Sequence, residues 1–174
     1  MKRFEFVEQA NRKNPLLVIE GARLEFCNFE GREERNQEGR IVNNAGNRKF
    51  SVRIEDDALA EQLIADNYKV YIRKPREEGD TPTYYLNVGV SNRFFNPSIT
   101  RFKSNGSQYE YSWDTVDLID QEDIIEANLV LQVSPGTNPN TGEPVTRCWL
   151  QELQFSVRDS LFSHNMAEQE FPQE

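Results

Sequence analysis

Cysteine and histidine are scarce in this chain: Cys27, Cys148 and His164 are the whole supply. With no CxxC or HxxxH spacing, neither a zinc site nor a histidine-based nucleophilic triad has the residues it needs. Both cysteines fall inside apolar, strand-like segments and read as buried thiols rather than a disulfide. GxxxxGK[ST] and GxGxxG are also missing, which removes the phosphate loops of nucleotide hydrolases and dinucleotide enzymes. No apolar run approaches the roughly 20 residues of a membrane helix, so no membrane partner is expected. The opening MKRFEFVEQANRKNP carries charge throughout and no hydrophobic signal region, so the expected location is the cytoplasm. No cofactor and no metal are expected.

Positive charge is lacking in one part of the chain only. Residues 32–111 hold 13 Lys/Arg against 12 Asp/Glu, whereas residues 112–174 hold 2 against 12, so the net charge of −9 belongs to the C-terminal third. The 174 residues suit a single domain with a sizeable core. The expected division is an N-terminal extension over 1–14, a domain over 15–160, and an acidic polar tail over 161–174, poorly ordered.

Period-two alternation dominates. Residues 17–29 read as one half-buried strand, with Leu24 and Phe26 on one side and Arg23 and Glu25 on the other. The polar, Gly- and Asn-rich stretch that follows, through residue 47, reads as a mobile surface loop. Residues 48–54 resume the alternation. DALAEQLIAD, with an aspartate cap, Leu59 and Leu63 four apart and Asn67 as a stop, predicts a helix over 57–66. Strands follow at 68–74, 83–90, 98–102 and 108–112, then a short helical turn within the acidic 113–126. A long hairpin, 128–133 with 145–157, closes on the turn-rich SPGTNPNTGEP. The expected class is all-β, mainly antiparallel, with one short helix: an OB-like five-stranded barrel with an extra hairpin, or else a sandwich.

The informative pattern is on the strand faces. If Tyr68, Val70 and Ile72 point inward, Lys69, Tyr71 and Arg73 share the outer face. The next strand shows Tyr85 and Asn87 there if Tyr84, Leu86 and Val88 fill the core, and Lys49 and Arg53 join from 48–54. Cations interleaved with aromatics suit a single nucleic-acid strand: charge for phosphates, ring faces for unpaired bases. Arg48, Arg76, Arg101 and Lys103 form a second tier of candidates. Trp113, Trp149, Phe94 and Phe95 are further rings, for which core packing is the commoner fate, with Phe94 and Phe95 in a polar loop. Asp114, Asp117, Asp120, Glu122 and Asp123 cluster as a metal-dependent nuclease would require, but their spacing fits no such motif.

Asn28, Phe29 and Gly31, then Asn47, Arg48 and Phe50, then Lys74-Pro75-Arg76-Glu77 and Tyr85-Leu86 resemble the motifs of bacteriophage single-stranded DNA-binding proteins, most closely over residues 21–90. Cys27 stands where the family pattern has arginine, and 40–45 is an insertion. The resemblance implies an OB-type fold and a role in phage replication or recombination in the host cytoplasm. From the charge distribution, the acidic C-terminal region is expected to recruit replication or recombination proteins, and a homo-oligomer is a further partner expectation. The resemblance supplies no residue-level map, so the candidate site rests on strand-face geometry. The expected function is non-enzymatic, sequence-independent binding of single-stranded DNA, with the 39–46 loop ordering on DNA. The alternative is a virion structural or assembly β-protein.

Overall fold

The structure, a computed structural model, describes residues 1–158. His164 and the acidic tail expected over 161–174 lie outside the described residues. The strands are β1 (Arg3–Val7), β2 (Leu16–Ala22), β3 (Leu24–Asn28), β4 (Glu34–Arg35), β5 (Ile41–Asn43) and β6 (Arg48–Ile54). Helix α1 (Asp57–Ala65) precedes β7 (Val70–Arg73), β8 (Thr83–Val90), β9 (Ser98–Phe102) and β10 (Gln108–Tyr111). A 3₁₀ turn (Val116–Gln121) leads to β11 (Ile124–Thr137) and β12 (Pro144–Val157).

Ten strands form one sheet along the path β1-β2-β11-β12-β8-β6-β3, with β7 on β8, β9 on β12 and β10 on β9. Pairing is antiparallel except where β12 runs parallel to β8 and β9. Alternate residues fill one core, including Leu17 and Ile19 of β2, Phe50 and Val52 of β6, and Leu86 and Val88 of β8, with Leu150 and, across a bulge, Leu153 of β12. Each such side chain contributes about 1.5–3 kcal/mol by leaving water. In α1, Asp56 caps the start by accepting the Ala58 and Leu59 N–H groups at 3.0 and 3.2 Å. The helix buries Ala60 and Leu63, and Asn67 at φ 68 turns the chain toward β7.

Three expectations are corrected. The sheet path is open between β1 and β3, so the closed five-stranded barrel is not what the ladder shows. The predicted strand 17–29 is two strands: β2 pairs with β11, and β3, after Arg23, pairs with β6. Gly21, at φ +70, makes the bend; a Cβ there would meet Glu126 Oε1 at 3.0 Å and the Lys2 nitrogen at 3.1 Å. Within the expected 1–14 extension, residues 3–7 form β1 on the free edge of β2.

The third correction concerns 30–47, which carries the β4–β5 hairpin instead of a structureless loop. Buried Asn28 and Asn43 hold it. Their Nδ2 groups both donate to the Arg32 carbonyl at 2.9 Å, and Asn47 Nδ2 donates to Asn43 Oδ1 at 2.7 Å. Such a network of satisfied polar atoms orders a segment without apolar periodicity.

Candidate nucleic-acid interface

On β6 and β8 the pleat sends alternate side chains to the face opposite the core; on β7 the alternation is incomplete, for Ile72, expected inward, is exposed and Val70 lines the groove. Lys49 lies opposite Gly89, Ser51 opposite Asn87, Arg53 opposite Tyr85, and Tyr71 opposite Tyr85. Lys69 joins this ladder, its carbonyl accepting the Asn87 N–H at 2.9 Å. Lys49, Arg53, Lys69, Tyr71, Arg73 and Tyr85 are therefore brought to one face. Their exposure differs: Tyr71 is 58% exposed, whereas Tyr85 is 3% exposed and lies beneath its neighbours.

What covers Tyr85 is Phe26. Alternation pairs Phe26 with Leu24, but a bulge between Glu25 and Asn28 turns it outward at φ 55. For a side chain larger than glycine that left-handed backbone costs roughly 1–2 kcal/mol, and such residues concentrate at functional sites. The Phe26 ring, half exposed, meets Tyr85 edge-on at 4.9 Å and Tyr71 at 6.4 Å, with Tyr71 and Tyr85 6.3 Å apart. Phe26 and Tyr71 thus form a platform whose rings are supported from below.

The β4–β5 hairpin supplies the facing wall through Glu34 and Val42. Between wall and platform lies a concavity of about 700 Å³, also lined by Lys49, Ser51, Lys69, Val70, Arg73 and Asn87. It adjoins a recess of about 100 Å³ that shares Val42, Lys49, Lys69 and Asn87 and adds Gly89, Arg147 and Trp149. Beyond Trp149 a third hollow, about 180 Å³, is lined by Ser91, Arg93, Phe94 and Phe95. Parallel pairing of β12 with β8 sets Trp149 beside Gly89, where a Cβ would fall 2.5 Å from the indole. Only glycine admits the ring at that distance.

The track is electropositive. Among the described residues no acid lies within 4.0 Å of Lys69, Arg73, Arg93 or Arg147, and Lys49 has one loose partner, Glu34, at 3.7 Å. Burial, then Arg147 and Lys49 nearby, hold the Lys69 ammonium below the ordinary lysine range. Crowded cations without acids gain free energy when an anion arrives.

A family model described as "Putative phage ssDNA-binding domain" matches residues 7–171. The chain belongs to this family. No curated protein matches significantly. Among solved structures, a C-terminal truncation of the single-stranded DNA-binding protein from bacteriophage Enc34 aligns with TM-score 0.46 and 12% identity, over 90% of this chain and 97% of that one. The Enc34 protein in complex with ssDNA aligns with TM-score 0.43 and 10% identity, over 92% and 98%. The bacteriophage T7 single-stranded DNA-binding protein gp2.5 aligns with TM-score 0.39 and 11% identity, over 91% and 95%.

In this phage single-stranded DNA-binding domain the second-tier candidates are placed elsewhere. Arg48 points away from the track: its Nε donates to the Phe29 carbonyl at 2.7 Å, it pairs with Asp117 at 3.1 Å, and it covers the Trp113 ring at 4.6 Å. Arg101 pairs with Glu122 at 2.6 Å and lies over Tyr109. Arg76 and Lys103 line none of the three hollows. The acidic segment is largely engaged in structure: Asp120 accepts the Phe29 and Glu30 N–H groups at 2.8 and 2.9 Å, and Asp123 pairs with Arg158 at 3.2 Å. Among the described residues no group of three or more His, Cys, Asp or Glu side chains could hold a metal. The Cys27 thiol is pushed up to about 12 by burial and then by Asp120 and Glu25; burial alone does the same to Cys148.

Sequence reasoning missed Phe26, Glu34, Val42 and Arg147 and gave Trp149 to the core. The Phe26 side is hidden by the bulge, and the wall residues by a segment without periodicity. The one available signal was the Asn-rich composition of 43–47, which supplies the side chains that anchor the hairpin.

Proposed function

We propose that this phage single-stranded DNA-binding domain carries its strand along the track from Phe26 and Tyr71, past Lys69, to Trp149 and Phe94. Lys49, Lys69, Arg73 and Arg147 contact phosphates, with Arg53 and Arg93 at the margins. Bases stack on Phe26, Tyr71, Trp149 and Phe94, the last 86% exposed, at about 1–3 kcal/mol each. The observation that carries this assignment is the coincidence of unpaired cations and outward rings in one groove, while Arg48 and Arg101 are neutralised by acids. The role is non-enzymatic and sequence-tolerant, serving phage replication or recombination in the host cytoplasm. Recruitment of replication or recombination proteins through the acidic C-terminal region, and self-association, belong to the same proposal.

We also read the fold as an opened OB-type barrel. In support, β2 and β3 are one bent stretch of chain that pairs with β11 before the bend and β6 after it. Counted as one strand, that stretch would stand with β6, β8, β12 and β11 as the five strands of such a barrel, opened where the chain bends.

Fluorescence anisotropy of a labelled strand of ~30 nucleotides, long enough to fill a typical OB-sized site, tests the assignment at low and physiological salt with duplex competitor. The expected result is salt-sensitive, strand-selective binding that Tyr71→Ala/Arg73→Ala weakens strongly. Undiminished binding by that variant would move the interface off this face. No binding by the wild type, with large assemblies instead, would favour a virion structural role.

A further inference from the structure

Among the described residues one acid faces the platform. Glu34 lines the large concavity with Phe26, Lys49, Lys69, Tyr71 and Arg73, where a carboxylate repels the phosphates of any bound strand. Its placement is held by the fold: Asn28, fully buried, donates Nδ2–H to Glu34 Oε1 at 2.7 Å. Among the described residues Oε2 has only the Lys49 ammonium, at 3.7 Å, too long for a hydrogen bond. A carboxylate has about four acceptor positions and no donor. Glu34 therefore presents a positioned, acceptor-only group with spare lone pairs beside the rings on which a base would stack.

We infer that Glu34 gives the groove a base preference, accepting a hydrogen bond from the exocyclic amine of cytosine, adenine or guanine and disfavouring thymine. This rests on the groove being the strand-binding face. The chemistry follows from the base edges. Cytosine N4 and adenine N6 are amine donors, and a carboxylate accepts from cytosine N4. Thymine has a carbonyl, O4, where cytosine has that amine, so two acceptors would face each other in a site partly closed to water. Asn87 and Ser51 on the groove floor carry both donors and acceptors and accommodate either base. Discrimination therefore falls to Glu34.

The test compares affinities of the full chain for dC, dA and dT oligonucleotides of equal length, and repeats them with Glu34→Gln. Glutamine keeps an oxygen for Asn28 and adds an NH₂ that can donate to thymine O4. The wild type is expected to bind dC and dA about five-fold tighter than dT, the low end of what a good base contact delivers. In E34Q that ratio should collapse toward unity, because dT gains a donor for O4 while dC and dA lose the carboxylate that accepts their amine. The wild-type ratio should also persist as salt weakens every affinity, because a base contact releases no counterions. Equal binding of the three by the wild type, tighter binding of dT, or an unchanged ratio in E34Q would each overturn the inference and leave the groove assignment standing. Binding of none of the oligonucleotides would overturn both.

Discussion

Two regions of this molecule hold the same kinds of side chain and use them in opposite ways. Around the 3₁₀ turn, Arg48, Arg101 and Arg158 meet Asp117, Glu122 and Asp123 at 3.1, 2.6 and 3.2 Å, and Trp113 lies under a guanidinium. Across the sheet, Lys69 and Arg73 share a groove with outward Phe26 and Tyr71, Arg147 lines the recess beside it, and among the described residues Glu34 is the one acid lining either. A cation with an acid beside it is already satisfied, and DNA would have to displace that acid. A cation held among other cations is strained until an anion arrives.

The largest expected break in this contrast is on the groove side. Phe26→Gly/Tyr71→Ala removes the platform, and at about 1–3 kcal/mol per stacked base should weaken single-strand binding at least tenfold in an anisotropy titration. Glycine adopts φ +55 freely, so the melting temperature should change little for the affinity lost. The mirror variant, Arg48→Ala, removes a charged hydrogen bond to a carbonyl and an ion pair. It should cost about 2 kcal/mol in denaturant melts while affinity for DNA stays nearly constant. A loss of binding equal to that of the platform variant would erase the distinction between the two regions.

Salt dependence sharpens the comparison further. Four phosphate-contacting cations, at a log-log slope of about −0.7 each, predict a total near −3. Lys69→Gln should reduce it by about 0.7, and Arg101→Gln should leave it unchanged. The smallest effect concerns pH. Folding lowers the Lys69 pKa through burial and then through Arg147 and Lys49, so the unfolded chain binds more protons between the folded and unfolded values. In that alkaline window Lys69 should make the fold more stable as pH rises while DNA affinity, which needs the charge, falls. The difference between wild type and Lys69→Met, by thermal melts and by anisotropy, isolates both slopes. At neutral pH the methionine variant should be slightly more stable and bind more weakly.

Much of the fold was legible because alternation is local. Strands at 83–90 and 98–102, the helix cap and the turn of the long hairpin follow from neighbours in the chain, as does the sharing of one face by Lys69, Tyr71 and Arg73. The bulge at Phe26 was not legible, since nothing in LEFCN distinguishes a flipped ring from an inward one. Arg48 and Lys49 are adjacent, and the pleat alone puts them on opposite faces. Which face holds acids depends on Asp117, 69 residues away.

The sequence by itself determined the longer regular strands, such as 48–54, 83–90 and 98–102, and the supply of cations and rings along them, because these depend on period two and on side-chain chemistry. Only the tertiary structure decided which cations are neutralised, which ring turns outward, and that an Asn-anchored hairpin and a parallel strand bring Glu34, Arg147 and Trp149 to the groove. The physical reason is that ion pairing, ring support and close backbone approach act across space, between residues far apart in the chain.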